Sequence, residues 1–329
     1  MMRLSTMWTV DRTIDASGSS PLATQILAAW RHDPGSLQFF RSSANFLYVF
    51  SHNGTRHFLR FAHGSERNRN EVEAEVAILR WLAGAGIAVA LPVASQRGNV
   101  VETISTEYGT FHAVVFPKVD GIQFDLSELD LPRFRAWGAT LGRLHTALSA
   151  CPANISSARP TWRERLEQRS HNLPADAPGI SEERERIVET LDTLEVTRAT
   201  FGPIHFDVEL DNLIWGEHAI HVLDFDECAH CWYVADIAFA LRELFETGAS
   251  VNDPEFQAFV DGYAAHHPID EELFAQLPLF VRLANFQTYT EIVRALDLVE
   301  DPTQPDWLNG LIRKLDGLRN SYQQSLIAG

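Results

Sequence analysis

The sequence is poor in cysteine and has fewer basic than acidic residues, and both shortages exclude classes of protein. Only Cys151, Cys228 and Cys231 occur among 329 residues, which argues against a disulfide framework and favours a reducing compartment. The 27 lysines and arginines stand against 44 acidic residues and leave a formal charge of −17. A nucleic-acid-binding surface needs basic residues to neutralise phosphates, and an anionic membrane surface would repel this chain.

Long apolar stretches and internal repeats of fixed period are also missing. No run approaches the roughly 18 apolar residues of a membrane span, and residues 1–15 contain no apolar stretch of signal-peptide length. The composition, with 45% hydrophobic and 22% charged residues, is ordinary for a globular protein. We therefore expect a cytoplasmic globular chain of one or two domains.

The first 120 or so residues predict a small sheet crossed by one long helix. A short helix over 20–32 comes first, and an amphipathic helix over 67–83 follows a hairpin over 45–62. Asn53-Gly54, a strong signal for a hairpin turn, lies inside that hairpin. The predicted strands are rich in β-branched and aromatic residues and cover 41–51, 56–62 and three runs within 87–119 (IAVALPVA, GNVVETIS and GTFHAVVFPKV).

Beyond Gly121 the pattern becomes mainly helical. Helices are predicted over 131–148 and 181–199, with a loop rich in Pro, Ser and Ala over 151–162, and from residue 233 onward the chain is nearly all helical. The change of character near 117–121 predicts a domain boundary there.

Residues suited to phosphoryl transfer lie close together between positions 201 and 238. Asp207 is followed by Asn212 five positions later, and a strand over 219–223 delivers Asp224 at its end. Transfer from a nucleotide needs a carboxylate to orient the acceptor hydroxyl, oxygen ligands for Mg²⁺ and a cation on the phosphates. Since Mg²⁺ is a hard cation that prefers oxygen, these three residues supply the first two requirements.

Two stretches of the sequence resemble motifs of a known enzyme family. IHFDVELDN followed by VLDFDE resembles the catalytic loop and metal-binding motif of the aminoglycoside phosphotransferase family, which is itself similar to protein kinases. The resemblance implies that Asp207 is the catalytic residue and that Asn212 and Asp224 hold Mg²⁺. His205 and Asp236 are implied as structural supports of the loop.

The resemblance extends to the nucleotide side of the site. Arg60 stands where the family has its phosphate-gripping basic residue, which is usually Lys in protein kinases. Glu75 matches the helix glutamate that pairs with that cation, with Glu71 one turn earlier as the competing candidate. No G-x-G-x-x-G lies in the first hairpin, where SSAN stands instead, and FPKVDG resembles the connector whose backbone meets the adenine. The implied nucleotide-binding residues are Arg60, Glu75, Ser42, Ser43, Phe116 and Val119.

The resemblance implies an α+β, bilobal, protein-kinase-like fold. A small antiparallel sheet with one long helix would form a nucleotide-binding lobe over 1–118, and a larger, mostly helical lobe over 119–329 would carry the catalytic loop and the substrate pocket. The implied reaction moves the γ-phosphoryl group of ATP or GTP, with Mg²⁺, to a hydroxyl of a small molecule. Aminoglycosides and other antibiotics are one class of acceptor.

Two other functions remain open at this point. Members of the family also phosphorylate homoserine-like and choline-like metabolites and protein Ser/Thr residues, so a metabolite kinase or a protein kinase is the first alternative. A pseudokinase that binds nucleotide and acts by interaction is the second, although the complete set of Asp207, Asn212 and Asp224 speaks against it.

Charged and sulfur-containing residues after Asp224 have more than one interpretation. Asp226 and Glu227 are expected either to support the metal and solvate the loop or to bind a cationic substrate. Cys228 and Cys231 form a single C-x-x-C, which without a second pair is a weak signal for zinc. We therefore expect two buried or loop cysteines rather than a metal site.

Overall fold

An antiparallel five-stranded sheet organises the first third of the chain in the computed structural model, which describes residues 1–171, 173 and 177–328. Neighbouring strands pair in the order β1-β2-β3-β5-β4. The strands are β1 (Gln38–Ser42), β2 (Phe46–His52), β3 (Thr55–His63), β4 (Glu102–Thr106) and β5 (Gly109–Pro117).

The predicted hairpin is confirmed as the β2–β3 pair. Its turn places Asn53 and Gly54 at φ values of 50° and 75°, the left-handed region that asparagine and glycine tolerate best. The single strand predicted over 41–51 is wrong in one respect, because it breaks at residues 43–45 into β1 and β2. These strands form a second tight hairpin in which Ser42 faces Phe46.

The long helix predicted over 67–83 is confirmed as α3 (Arg69–Gly84). Asn68 caps it, since its side chain accepts from the Glu71 N–H while the Glu71 carboxylate accepts from the Asn68 N–H. Two helices precede the sheet, α1 (Leu4–Asp11) and α2 (Pro21–Leu27). The helix expected over 20–32 therefore ends five residues early, and α1 was not predicted.

The run IAVALPVA, predicted as a strand, lies outside the sheet. It makes isolated bridges only, from Val89 to Val222 and from Val93 to Val115. Pro92 has no N–H to contribute to a ladder, so the segment crosses between the two parts of the chain in extended form without joining the sheet.

The remainder of the chain is mainly helical, as predicted. Two small antiparallel pairs of strands, formed by residues 201–204 with 229–232 and by residues 213–215 with 220–222, present the polar motifs. The helices are α4 (Leu131–Ser149), α5 (Ala153–Ser156), α6 (Trp162–Ser170), α7 (Pro178–Asp192), α8 (Tyr233–Ala240), α9 (Arg242–Glu246), α10 (Pro254–Ala264), α11 (Glu271–Phe274), α12 (Leu277–Ala295) and α13 (Asp306–Ala328). The short strands are β6 (Phe201–Ile204), β7 (Leu213–Trp215), β8 (Ile220–Val222) and β9 (Ala229–Trp232).

Two large apolar cores stabilise these elements. One fills the helical part, and the other lies against the sheet and joins α1 and α2 to residues of α12 and α13 such as Ile292, Leu308 and Ile312. The C-terminal helix therefore packs against the N-terminal sheet. Within the described residues, no helix combines the length and the apolar character that a membrane crossing requires.

His267 lies next to the contact between α4 and α10, and it should make the free energy of unfolding depend on pH. Burial, together with the charge of His145, lowers its pKa from 6.5 to about 4. The folded state resists protonation of this ring. The contribution of neutral His267 to the free energy of unfolding is therefore fully present above about pH 6.5 and is lost as the pH falls toward 4. We expect a loss of roughly 1–3 kcal/mol over that window.

Urea unfolding of wild type and His267→Phe at several pH values checks this expectation. Phenylalanine keeps the aromatic contacts with Tyr233 and Tyr263 and loses the contact with Thr146. The variant should have the shallower dependence of unfolding free energy on pH between 6.5 and 4. Parallel curves for the two proteins would show that His267 does not titrate in this way.

Candidate active site

One buried carboxylate fixes the backbone of the loop that follows β6. Asp236, on α8, accepts from the backbone N–H groups of His205 and Phe206, both at 2.7 Å, and contacts His145 Nε2 at 3.0 Å. The second ring nitrogen of His145 lies 2.8 Å from the hydroxyl of Tyr263. Phe206 has φ of 71°, and such left-handed backbone in a non-glycine residue persists only where its surroundings hold it.

The His205 ring joins this loop to the strand that ends at Asp224. Its Nε2–H donates to the carbonyl of Leu223 at 2.9 Å, and its Nδ1 accepts from the Asp207 N–H at 3.2 Å. Burial lowers the pKa of His205, which agrees with a neutral ring that donates from one nitrogen and accepts at the other.

Asp207 and Asn212 are in direct contact. The Asn212 amide donates to the carbonyl oxygen of Asp207 at 2.8 Å and to its carboxylate at 2.9 Å. Burial and the neighbouring charges of Glu209 and Asp224 raise the pKa of Asp207 well above its usual range. Glu209 itself forms an ion pair with Arg242, so the carboxylate that most affects Asp207 is partly neutralised.

Asp224 lies immediately after β8 in a strained conformation. Its φ is 58°, and it pairs with Arg60 at 3.0 Å. Burial, and next the charge of Asp226, raise the pKa of Asp224 to about 7. A carboxylate with this pKa gains strongly from a nearby cation, because a positive charge stabilises its ionised form.

Arg60 on β3 connects Asp224 to α3. It forms a two-point ion pair with Glu75, in which the Nη1–Oε1 distance is 2.9 Å, and its guanidinium lies 5.1 Å from the centre of the Phe116 ring. Burial opposes the charge of Arg60, but Glu75 and Asp224 outweigh it and hold its pKa above the usual value. Glu71 serves in the cap of α3, so Glu75 is the glutamate that pairs with Arg60.

Arg60→Met should weaken nucleotide binding and destabilise the fold. Removing one partner of a buried ion pair leaves an uncompensated charge and costs about 3–5 kcal/mol. Arg60→Lys should have nucleotide affinity and stability between those of the wild type and Arg60→Met, because an ammonium keeps the charge and loses the two-point contact. Nucleotide titration by calorimetry and thermal unfolding check both effects.

Arg56→Met is the matched control for these variants. Arg56 lies on the same strand and its side chain is exposed. The nucleotide affinity and thermal stability of Arg56→Met should match those of the wild type. An Arg60→Met protein that binds nucleotide as tightly as this control would contradict the phosphate-gripping role expected of Arg60.

A cavity of about 580 Å³ opens between the sheet and the loops that carry Asn212 and Asp224. It brings together most of the nucleotide-binding and metal residues expected from the sequence, whereas Ser42 and Asp207 lie outside its lining. Asp207 contacts the lining residue Asn212. The Ser43 N–H is hydrogen-bonded to the carbonyl of Asn45 at 3.1 Å. The expected residues in the lining are Ser43, Arg60, Glu75, Phe116, Val119, Asn212 and Asp224.

Several lining residues were missed by the sequence interpretation. Phe58 precedes Arg60 by two positions on β3 and faces Phe116 on β5, so strand alternation around Arg60 could have identified it. Leu47 lies opposite Arg60 on β2 and could have been found in the same way. Phe40 and Gln123 carried no such signal, because their place in the lining depends on the break between β1 and β2 and on a loop.

Asp226 and Glu227 are both paired with arginines. Asp226 accepts from Asn45 at 2.9 Å and pairs with Arg67 at 3.4 Å, and Arg67 and Arg60 outweigh burial and lower its pKa. Glu227 forms ion pairs with several arginines and lines a second cavity of about 200 Å³. Its partners are Arg67, Arg165 and Arg169.

Cys228 and Cys231 are buried thiols, which confirms their expected burial. Burial raises the pKa of Cys228 to about 12 and that of Cys231 still further. The nearby His230 ring is engaged with the carbonyl of Ser156 at 2.8 Å. No group of three or more His, Cys, Asp or Glu side chains suited to a metal occurs in the described part of the chain.

The fold has an antiparallel sheet with one long helix, a mostly helical second lobe and the loop of Asp207 and Asn212. This arrangement is that of a protein-kinase-like phosphotransferase. The model of the phosphotransferase enzyme family (APH) matches residues 36–269. The chain therefore belongs to that family and is a phosphotransferase, as the sequence motifs predicted.

Similar proteins support this assignment. Amicoumacin kinase from Bacillus subtilis (strain 168) is 24% identical over 273 residues, which cover 80% of this chain and 81% of the relative. A homoserine kinase from Phenylobacterium zucineum (strain HLK1) is 26% identical over 208 residues, 62% of each protein. The solved structure of an amicoumacin kinase in complex with AMP-PNP, Ca²⁺ and Ami has a TM-score of 0.76 at 23% identity over 92% of each chain. The predicted bilobal fold is confirmed.

Proposed function

We propose that the chain transfers the γ-phosphoryl group of ATP or GTP to a hydroxyl of a compact small molecule, with Asp207 orienting that hydroxyl. The contact between Arg60 and Asp224 carries the proposal, because it joins β3 to the loop after β8 at the lining of one cavity. Arg60 grips the donor phosphates and Glu75 holds it in place. The division into lobes at residues 118 and 119 is part of the same proposal.

The residues at the cavity fit a divalent cation. The amide nitrogen of Asn212 donates to Asp207, so its side-chain oxygen can bind a cation. Oδ1 of Asp224 forms the ion pair with Arg60. Hard oxygen donors of this kind suit Mg²⁺, or Ca²⁺ in its place. When bound, such a cation neutralises the phosphate charge. Asn212 and Asp224 would hold it.

The rest of the nucleotide would lie among apolar and aromatic side chains. Phe58 and Phe116 face each other across β3 and β5, and a base can stack between or beside such rings. The backbone at Val119 would meet the edge of the base. Ser43 and the hairpin of residues 42–45 would cover the phosphates.

The acceptor is proposed to bind in the second cavity. Residues 43–45 border both spaces, because Ser43 and Asn45 line the larger cavity and Ala44 lines the smaller one. Glu291, in that smaller lining, is near enough for its charge to raise the pKa of Asp207. The space is small and holds both arginines and glutamates, including Arg67, Arg169 and Glu227.

A compact alcohol that carries charged groups fits such a lining better than a large neutral one. The relatives reported above are named as kinases of amicoumacin and homoserine, and compounds of either kind belong in the first acceptor panel. Asp226 and Glu227 would act on the acceptor side, with Asp226 held by Asn45 and Arg67.

A panel of hydroxyl-bearing metabolites, amino acids and antibiotics, incubated with ATP or GTP with and without Mg²⁺, tests the proposal. We expect nucleotide consumption that requires both the metal and at least one acceptor. Nucleotide binding without metal-dependent transfer to any acceptor would contradict it and favour a pseudokinase.

A further inference from the structure

Arg159 occupies a central position that the phosphotransfer residues named so far do not explain. It lies between α5 and α6, in the stretch read from the sequence as a loop, and is only 6% exposed. Its guanidinium donates to four backbone carbonyls. These carbonyls belong to Glu71, Phe225, Asp226 and Cys228.

Three of these contacts hold the loop that follows Asp224. Nε donates to Cys228 O at 2.7 Å, and Nη2 donates to Phe225 O at 3.4 Å and to Asp226 O. Asp224 has left-handed backbone, a conformation that costs of order 1–3 kcal/mol and needs support from its surroundings. Arg159 supplies that support on the C-terminal side of Asp224.

The fourth contact reaches the helix that carries Glu75. Nη1 of Arg159 donates to Glu71 O at 3.1 Å, one turn before Glu75 on α3. Glu75 pairs with Arg60, and Arg60 pairs with Asp224. Arg159 therefore closes a ring of contacts that runs from α3 through Arg60 and Asp224 to the following loop and back to α3.

The segment that carries Arg159 is itself fixed. The His230 N–H donates to Pro160 O at 2.8 Å, and the His230 ring lies 2.8 Å from Ser156 O. Arg159 thus projects from a backbone anchored to β9. Only a planar guanidinium has enough donors to reach carbonyls on both sides at once, whereas an ammonium is a point donor.

We propose that Arg159 is a positioning residue that sets Asp224 and α3 in the arrangement needed to bind a metal–nucleotide complex. The proposal rests on the function proposed above and adds a residue that touches neither nucleotide nor acceptor. It acts through the carbonyls of the loop after Asp224.

The test measures metal binding separately from turnover. Mn²⁺ is titrated into protein saturated with a non-hydrolysable ATP analogue, and its binding is followed by electron paramagnetic resonance for wild type, Arg159→Lys and Arg159→Met. Loss of a residue that orients a metal ligand typically lowers metal affinity about 10- to 100-fold. We expect such a loss in Arg159→Met and a smaller loss in Arg159→Lys.

Arg163→Met is the matched control. Arg163 belongs to α6, pairs with Asp192 at the surface and lies 4.8 Å from the ring centre of Trp162. The Arg163→Met protein should bind Mn²⁺ with the affinity of the wild type.

Wild-type Mn²⁺ affinity in folded Arg159→Lys and Arg159→Met would overturn the proposal. So would unfolding of both variants while Arg163→Met remains folded, because Arg159 would then be a residue of the fold rather than of the site. Failure of the proposed function would appear differently, as a wild-type protein that transfers phosphate to no acceptor.

Discussion

Asp207→Asn should slow phosphoryl transfer severely while leaving nucleotide binding intact. Asparagine keeps the size of the side chain and a hydrogen-bonding oxygen, but it loses the negative charge that orients or deprotonates the acceptor hydroxyl. General base assistance contributes about 10²–10⁴-fold to a rate, and we expect kcat to fall by about 10³-fold. Steady-state turnover and nucleotide titration measure the two properties.

The same substitution should not destabilise the protein. Burial and the charges of Glu209 and Asp224 raise the pKa of Asp207, so the ionised form is disfavoured in the fold and its removal relieves that repulsion. Glu217→Gln is the control, because Glu217 lies in the turn between β7 and β8 with its side chain 87% exposed. A variant at Asp207 as active as this control would remove Asp207 from the mechanism.

Gly138→Ala should strongly destabilise the protein. Gly138 on α4 faces α10 so closely that a methyl group would overlap the carbonyl oxygen of Phe259. The obstacle is backbone, which cannot rotate away. Overpacking costs about 1–3 kcal/mol or more, and this site lies at the upper end, beyond the roughly 1 kcal/mol that alanine gains in helix propensity.

Gly262→Ala repeats the test from the other side, since its added methyl would overlap the carbonyl of Arg135. Gly84→Ala is the matched control, because Gly84 ends α3 and nothing lies within 4 Å of the added atom. Thermal and urea unfolding should place both interhelical variants well below the wild type and Gly84→Ala at or slightly above it. Equal stability of Gly138→Ala and Gly84→Ala would contradict the close contact.

The spacing of residues along the chain predicted those parts of the fold and site that depend on short-range patterns. Asp207 and Asn212 lie five positions apart on one loop, α3 was predicted from its amphipathic pattern, and the β2–β3 hairpin carries its own turn signal. Arg60 and Asp224 are 164 positions apart. Only the resemblance to the family brought them together, since nothing local to either residue indicates the other.

The features that were missed depend on contacts between distant segments. The extended run IAVALPVA has the apolar and β-branched residues typical of a strand, but it touches the sheet only at the bridge from Val93 to Val115. Arg159 stands in a Pro- and Ser-rich stretch typical of a surface loop, and its importance follows from carbonyl groups 66–88 positions away. Carbonyl positions leave no trace in a single sequence, because every residue has one.

The fate of the nucleotide's γ-phosphoryl group tests the central claim most directly. Nucleotide labelled at that group, incubated with Mg²⁺, wild-type protein and the acceptor selected from the panel, should yield label covalently attached to an acceptor hydroxyl. Asp207→Asn should leave the label on the nucleotide. Label found only in inorganic phosphate, or on the protein itself, would contradict transfer to a small-molecule hydroxyl.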